Sequence, residues 1–272
     1  MSKSTFDNQI ALVTGASDGI GYETARALLA AGATLILHAR DKERGDAAIE
    51  RLVTTGAQAQ RLQLVVADFT DLHQVSELAN TLAATVPALH LLVNNAAMAG
   101  PERRILTDDG NEITFQVNYL APYLLAKILA GSIGAARGRV VNLSSTLHHG
   151  GNIAWSDLTR AHDYTPLAVY AQAKLALTMF TRSLAEFGPG ASTAISVHPG
   201  IYDTNLLRTY AHTGQPASQA ATVLAELCAS STPVINGGYY ERSKIATPAM
   251  LVDNARMRTR LNKISDQLTS LS

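Results

Sequence analysis

Short apolar runs alternate with stretches of helical periodicity along most of the chain. Residues 9–14 and 34–38 are apolar runs of strand length, and 19–31 between them carries apolar residues at helical spacing. The alternation continues, with strands predicted at 62–67, 89–93, 138–144 and 192–198 and helices at 41–54, 71–85, 109–131 (interrupted near Pro122) and 167–187. Strands joined by helices of this length favour a parallel sheet covered on both faces. The pattern therefore predicts an α/β fold with a doubly wound parallel sheet.

The last third of the chain is less regular. Helical patterns lie around Leu206 and at 217–229, and 237–240 is predicted as a last strand. A final helix at 253–268 is predicted to be exposed, because its basic cluster is typical of a solvated face; a phosphate or membrane contact is the alternative. No repeat or linker divides the sequence, so residues 1–272 are predicted to form a single domain.

The composition narrows the class of protein. The 22 Lys plus Arg balance 22 Asp plus Glu, which disfavours nucleic-acid binding. A hydrophobic content of 47% argues against disorder, and the single Cys228 can form neither an internal disulfide nor a cysteine metal cluster. No apolar stretch resembles a signal peptide or a membrane span. We therefore expect a cytoplasmic globular protein that binds neither nucleic acid nor membrane.

A glycine-rich sequence lies between the first predicted strand and the first helix, in Thr14-Gly-Ala-Ser-Asp-Gly-Ile-Gly21. Its three glycines, Gly15, Gly19 and Gly21, allow a sharp turn that a pyrophosphate can approach, and the helix N-terminus attracts that anion. A plain glycine-rich turn is the alternative, but the strand–turn–helix setting favours a dinucleotide site and hence a Rossmann fold. Ser17, Asp18 and Ile20 are predicted as further cofactor contacts.

Two more strand ends indicate the same ligand, which lies beyond the carboxyl ends of the strands in such a sheet. Asp68 and Phe69 follow the third strand, where Asp68 is predicted to bind an adenine amino group, with helix capping as the alternative. Asn95 and Ala96 follow the fourth strand and are predicted cofactor contacts. Asn94 before them is predicted to tie neighbouring strands together.

The end of the second strand predicts which nicotinamide cofactor is bound. Arg40 would pair with the 2′-phosphate of NADP, whereas Asp41 would bind the ribose hydroxyl of NAD. Asp41 also suits the N-cap of the next helix. NADP is therefore the preferred prediction, with NAD as the alternative.

A tyrosine precedes a lysine by four residues at three places, which on a helix puts both on one face. A nearby cation stabilises phenolate and so favours acid–base use near neutral pH. Tyr123, beside Pro122 within a long helix, suits packing or an interface, and Tyr240 closes a predicted strand. Only Tyr170, with Lys174, begins a helix after a strand that ends in serines at the cofactor edge. A serine there can donate to a substrate carbonyl.

The chain resembles the short-chain dehydrogenase/reductase family over nearly its full length. The residues that carry the resemblance are Thr14-Gly15-x-x-x-Gly19-x-Gly21, Asn94-Asn95-Ala96, Asn118, Ser145, Tyr170-x-x-x-Lys174 and Pro199-Gly200-x-x-x-Thr204. The resemblance implies that Tyr170 is the general acid/base and that Lys174 stabilises its phenolate and holds the ribose. It also implies that Ser145 orients the carbonyl and Asn118 holds a relay water. Pro199, Gly200 and Thr204 would contact the cofactor, Thr204 at its carboxamide.

The loop between Ser145 and Tyr170 is longer than in the common form of that family. In this respect the chain resembles the retinol-dehydrogenase-like branch. Residues 146–166 and 201–236 are predicted to cover substrate and cofactor. Apolar side chains in these segments suit either a substrate wall or core packing; they are Trp155, Tyr202, Leu206, Leu207 and Tyr210. The adjacent His148 and His149 suit a pocket or the surface better than a metal site, so no metal is predicted.

These features together predict an NAD(P)-dependent oxidoreductase. It would interconvert a carbonyl compound, either a ketone or an aldehyde, and the corresponding alcohol. Its small-molecule substrate is expected to be apolar. A catalytically weak dinucleotide-binding regulatory or scaffold protein of the same fold is the alternative. The resemblance also implies a homo-oligomer that pairs through the helices predicted at 109–130 and 167–187.

Overall fold

The computed structural model describes residues 5–188, 192–203 and 214–271, and in this part of the chain eight strands form one sheet. The strands are β1 (Ile10–Val13), β2 (Thr34–Ala39), β3 (Leu62–Val66), β4 (Leu91–Asn94), β5 (Arg139–Leu143), β6 (Thr193–His198), β7 (Tyr239–Glu241) and β8 (Lys244–Ala246). Their order is β3-β2-β1-β4-β5-β6-β7-β8, parallel except for the antiparallel pair β7–β8. The order reverses between β1 and β4, which confirms the predicted doubly wound Rossmann sheet.

Helices cover both faces of the sheet, as the buried strands require. They are α1 (Gly19–Ala30), α2 (Lys42–Thr54), α3 (Leu72–Thr85), α4 (Ile113–Phe115), α5 (Ala121–Ile128), α6 (Ala130–Ala135), α7 (Pro166–Phe187), α8 (Ala217–Cys228) and α9 (Ala255–Leu268). Residues of α1, α2 and α8 form one hydrophobic cluster with the sheet, and residues of α3, α5, α7 and α9 form the other. No described helix combines the length and the apolar content needed to cross a bilayer.

Local sequence explains where several of these helices start. Asp18, Asp41 and Asp71 are the N-caps of α1, α2 and α3, and each carboxylate accepts a backbone N–H of the first turn. Thr165 caps α7 in the same way, followed by Pro166 in the first turn, where the missing N–H costs nothing. The cap predicted at Asp41 is therefore confirmed.

The interruption predicted near Pro122 lies earlier in the chain. A π-helical turn, Gln116–Leu120, separates α4 from α5, and Pro122 sits in the first turn of α5. At that position proline is tolerated, because the first N–H groups of a helix lack intrahelical acceptors. The break belongs to the π-turn, a feature for which the sequence carries no signal.

The prediction that the last helix is exposed is confirmed for three of its four basic residues, Arg256, Arg260 and Lys263, but not for the helix as a whole. Leu261 and Ser265 of α9 are buried, and so is Arg258. The Arg258 guanidinium donates to both carboxylate oxygens of Glu186 on α7, at 2.5 and 2.6 Å, and to the carbonyl of Val252. The cation is neutralised by a partner from another helix, so α9 packs onto the body of the protein.

Candidate active site

The turn between β1 and α1 requires glycine on steric grounds. Gly15 and Gly19 have positive φ angles of 61° and 55°. A Cβ on Gly15 would lie 2.8 Å from the Ala96 Cα, and one on Gly21 would lie 2.3 Å from the Gly15 carbonyl oxygen. The backbone is therefore compact where the N-terminus of α1 begins, in the form that a phosphate-binding turn needs.

The end of β4 holds this turn in place. The Thr14 hydroxyl accepts the N–H groups of Asn95 and Ala96, each at 3.0 Å. The Asn95 side-chain amide donates to the carbonyls of Thr14 and Gly15, at 2.8 and 3.1 Å. Asn95 thus supports the turn with its side chain. Asn94 donates to Asn142 on β5 at 2.8 Å, which is the tie between strands that was predicted.

At the carboxyl end of β2 the Arg40 side chain is 59% exposed, with its Nε 3.8 Å from the Asp41 carboxylate. Asp41 accepts a hydrogen bond from the backbone N–H of Arg44 at 2.9 Å and forms an ion pair with the guanidinium of the same arginine. The backbone hydrogen bond holds the pKa of Asp41 below its usual range. Asp41 is thus engaged with α2, whereas Arg40 faces solvent beyond the strand.

Sequence reasoning missed His38, a buried histidine on β2. Its Nδ1 accepts the Gly15 N–H at 3.1 Å, and its Nε2 lies 3.0 Å from the Ala67 carbonyl oxygen. Its ring stacks on Phe69 at 4.4 Å, and burial lowers its pKa to about 4. His38 therefore links the glycine turn to the end of β3. The available signal in the sequence was a histidine within a largely apolar strand.

Beyond β3, Asp68 and Phe69 have structural partners. One carboxylate oxygen of Asp68 accepts the N–H and the hydroxyl of Thr70, at 2.9 and 2.8 Å. Phe69 is buried against His38. Asp68 lies at the predicted edge, while Phe69 lies in the core beneath it.

Tyr170 and Lys174 lie one helical turn apart on α7 and are both buried. The Lys174 ammonium is 5.5 Å from the centroid of the Tyr170 ring and donates to the Leu143 carbonyl at 2.8 Å. Burial lowers the pKa of Lys174 to about 7. Because Leu143 ends β5, this hydrogen bond fixes the lysine at the strand end that leads to the serines.

The two serines after β5 have different surroundings. Ser144 Oγ lies 2.7 Å from the Thr178 hydroxyl on α7, inside the layer between helix and sheet. Ser145 is the N-cap of a 3-10 turn, Thr146–Gly150, and its Oγ accepts the Leu147 N–H at 3.2 Å. This hydrogen bond uses an oxygen lone pair and not the hydroxyl proton, which favours Ser145 as the site residue.

Asn118 is buried in the π-turn and fixes the loop after β4. Its side-chain Nδ2 donates to the Met98 carbonyl and its Oδ1 accepts the Met98 N–H, both at 2.8 Å. π-turns are frequent at functional sites, where they change the direction of a side chain. Here the turn directs the amide towards the loop that follows Asn95 and Ala96.

The loop between Ser145 and α7 depends on another residue that sequence reasoning missed. Gln172, buried two residues after Tyr170, donates to the Leu158 carbonyl at 2.9 Å and accepts the Ala154 N–H at 3.0 Å. Trp155 in this loop packs against the core, with the Arg260 guanidinium of α9 4.5 Å above its ring. Of the two roles considered for Trp155, the structure favours core packing.

After β6, Pro199 and Gly200 lead away from the sheet at the same edge. Gly200 has a φ of +117°, and a Cβ there would lie 3.0 Å from the ring of Tyr202. Thr204 lies outside the described residues, as do Leu206, Leu207 and Tyr210.

Comparison with known proteins identifies the family. A family model described as "short chain dehydrogenase" matches residues 9–214. The chain is 31% identical to a polyprenol dehydrogenase of Danio rerio, over 97% of this chain and 88% of that protein. It is also 31% identical to retinol dehydrogenase 13 of Mus musculus, over 100% and 86% of the two chains. An uncharacterized protein from Mycobacterium paratuberculosis has a similar structure, with a TM-score of 0.80 and 28% identity over 99% of this chain and 96% of that one.

The family match covers the glycine turn, the loop after β4, the π-turn and the Tyr170–Lys174 helix. The relatives extend the similarity over almost the whole chain. The chain therefore belongs to the short-chain dehydrogenase family, in its retinol-dehydrogenase-like branch, and is an oxidoreductase.

Proposed function

We propose that this protein is an NADP(H)-linked oxidoreductase that interconverts an apolar carbonyl compound and its alcohol, with Tyr170 as general acid/base. The observation that carries the proposal is the buried Lys174 ammonium. It lies one helical turn from Tyr170 and is hydrogen-bonded to Leu143, two residues before Ser145. A neighbouring negative charge favours the charged form of a buried lysine, so this position suits a residue that stabilises the phenolate of Tyr170.

The residues present fit a nicotinamide dinucleotide, the cofactor that members of this family bind. The glycine turn leaves no room for a Cβ at Gly15 or Gly21, and α1 begins within it at Gly19. Gly200 and Pro199 lie at the same edge of the sheet, after β6. This chain would hold the pyrophosphate at the glycine turn and the nicotinamide end near β5 and β6.

The bound cofactor would donate a hydride to the carbonyl carbon in reduction and accept one in oxidation. In reduction, Tyr170 gives its phenolic proton to the carbonyl oxygen, and the Ser145 hydroxyl donates a hydrogen bond to the same oxygen. The Lys174 ammonium stabilises the phenolate that remains. The Asn118 side chain holds the loop of Met98 beside the site. Asn118 would also hold the water through which Tyr170 regains its proton from solvent. Oxidation reverses each step.

The principal test is the variant Tyr170→Phe. We expect it to lose carbonyl reduction almost completely, because the proton donor is gone, while its dissociation constant for NADPH stays near that of the wild type. Turnover is measured by cofactor oxidation with a panel of aldehydes and ketones, and binding by cofactor fluorescence. Normal turnover in the variant would overturn the mechanism, and a wild type that binds NADPH without reducing any carbonyl would favour the binding-protein alternative.

The preference for NADP rests on Arg40. Its guanidinium is exposed at the end of β2, and the competing carboxylate of Asp41 is engaged by Arg44. We expect Arg40→Ala to weaken NADPH binding by about 10- to 100-fold, the value of a charge-assisted contact, and to leave NADH binding unchanged. Arg26→Ala, which removes an arginine paired with Glu23 on α1, is the control. Equal or tighter binding of NADH by the wild type would contradict this preference.

An apolar substrate is supported by two observations. Leu147, two residues after Ser145, is 38% exposed, and Ile201, beside Gly200, is 61% exposed. The relatives named above are a polyprenol dehydrogenase and a retinol dehydrogenase, names that denote long apolar alcohols. The carbonyl panel should therefore include long-chain and isoprenoid aldehydes, for which we expect a higher kcat/KM than for short polar ones.

A further inference from the structure

His148 joins the turn of Ser145 to the segment that enters α9, and the proposed chemistry does not use it. The side chain is fully buried. Its Nε2 accepts the Ala249 N–H at 3.1 Å, and its Nδ1 lies 2.6 Å from the Ser145 carbonyl oxygen. A backbone N–H can only donate, so Nε2 carries no proton and Nδ1 donates to Ser145. The contact with Ala249 therefore selects the tautomer that binds Ser145.

The Ser145 carbonyl receives two hydrogen bonds, from the imidazole of His148 and from the His148 backbone N–H at 3.1 Å. Together they fix the peptide plane that follows Ser145. The Ser145 hydroxyl in turn accepts the Leu147 N–H within the same 3-10 turn. The peptide plane restricts the direction of the Ser145 Cα–Cβ bond and the Leu147 N–H restricts its rotamer, so His148 contributes to where the hydroxyl is held.

The neighbours of His148 keep its ring in place. The rings of His149 and Tyr239 lie 4.1 and 4.6 Å away. Burial lowers the pKa of His148 to about 4, so the imidazole is neutral at physiological pH and each ring nitrogen keeps its role. His73 on α3, whose side chain is 78% exposed, is the control histidine.

We propose that His148 is a positioning residue that couples Ser145 to the C-terminal segment through its two ring nitrogens. This inference rests on the proposed function, since it concerns the direction of the Ser145 hydroxyl towards a substrate carbonyl. The family match ends at residue 214, whereas Ala249 lies beyond it. Part of the support for the proposed active site thus comes from a segment outside the matched region.

The experiment compares His148→Phe, which keeps a ring but loses both hydrogen bonds, with His148→Asn, which keeps an N–H near the Ser145 carbonyl. We expect His148→Phe to lower kcat by roughly 10- to 100-fold, the effect of a displaced site group, with an unchanged NADPH dissociation constant. His148→Asn should recover most of that loss. His73→Asn, the control, should have the kcat of the wild type.

A second comparison separates positioning from general stability. In a Ser145→Ala background, His148→Phe should lower kcat no further, because it acts through the serine. Ala249→Pro removes the N–H that binds Nε2, at a residue whose φ of −56° already suits proline. Like His148→Phe, this variant should lower kcat. This variant and His148→Asn test the proposal even where His148→Phe does not fold.

The results distinguish the positioning role of His148 from the proposed function. An equal loss of kcat in the presence and absence of the Ser145 hydroxyl, or a wild-type kcat in both His148→Phe and Ala249→Pro, would overturn the positioning role. An inactive wild type or an active Tyr170→Phe would overturn the proposed function instead, and both proteins are assayed alongside. The two ideas therefore fail separately.

Discussion

At the scale of single residues, two buried histidines bridge segments that are distant in sequence. His38 accepts the N–H of Gly15 and faces the carbonyl of Ala67; His148 accepts the N–H of Ala249 and donates to the carbonyl of Ser145. Each bridge needs a neutral imidazole with one donor and one acceptor nitrogen. A protonated ring has two donors, and the N–H groups of Gly15 and Ala249 would then lose their acceptor.

These bridges predict sensitivity to acid. Burial lowers the pKa of His38 and of His148 from 6.5 to about 4. Between those values the unfolded chain binds protons that the folded chain does not. The free energy of unfolding therefore has its full value above pH 6.5 and falls as the pH drops from 6.5 towards 4. Urea denaturation at pH 7 and pH 5 measures the difference. His38→Asn should reduce the pH dependence, and a free energy of unfolding that is equal at both pH values would contradict the prediction.

Tyr170, Lys174 and the serine pair could be predicted from local patterns in the sequence, whereas Asn118 and the choice of Ser145 came from the family resemblance. The Tyr170–Lys174 spacing, the serines after an apolar run and the glycine turn are all visible within a few residues. The supporting residues could not be predicted in this way. His38 meets Gly15 across 23 positions, and His148 meets Ala249 across 101, so their partners exist only in the folded chain.

At the scale of elements, α9 shows why the buried side of a correctly predicted helix was missed. Its buried positions, Arg258, Leu261 and Ser265, follow helical spacing, but two of the three are polar. A reading by hydrophobic pattern therefore predicts a solvated helix. The groups that accept or neutralise these side chains come from other elements, namely Glu186 on α7 and Tyr119 in the π-turn.

Polar contacts between α9 and the helices beneath it should be measurable. The Tyr123 hydroxyl on α5 donates to Asp266 at 2.6 Å, and Lys127 lies 3.4 Å from the same carboxylate. We expect Tyr123→Phe to lower the free energy of unfolding by ~1 kcal/mol, since Asp266 remains partly hydrated. Combination with Asp266→Ala in a double-mutant cycle measures the coupling.

The control for that cycle is a carboxylate on an exposed helix face. Asp46→Ala removes the partner of Lys42 on α2, where both side chains are more than half exposed, and should change the stability little. Costs that simply add for Tyr123→Phe and Asp266→Ala would show that the hydrogen bond does not stabilise α9.

At the scale of the whole molecule, the sheet was the most predictable feature. Parallel strands buried on both faces consist of continuous apolar residues, and β1 to β6 could be recognised from that property. β8 was missed because it is three residues long, largely exposed, and pairs only with the hairpin partner β7. That hairpin also puts Tyr240 and Lys244 on separate strands, as their rejection as a catalytic pair requires.

Formation of a homo-oligomer remains a prediction. The helices expected to pair, α5 and the middle of α7, are already buried within one chain, and α9 contacts both. We therefore expect an oligomer to leave α9 in place and to use another surface.

The contacts of the C-terminal segment also set an order of events during synthesis. Ala249 and Ser265 bind His148 and Tyr119, residues that are synthesised 101 and 146 positions earlier. A chain stopped before residue 249 would contain the glycine turn and the strands up to β8 but would leave the aromatic cluster of Phe115, Tyr119, Tyr123 and Phe180 without its cover. Exposed apolar surface of that kind marks a protein for chaperones and proteases. Synthesis through α9 thus completes both the support of the site and the cover of the aromatic cluster.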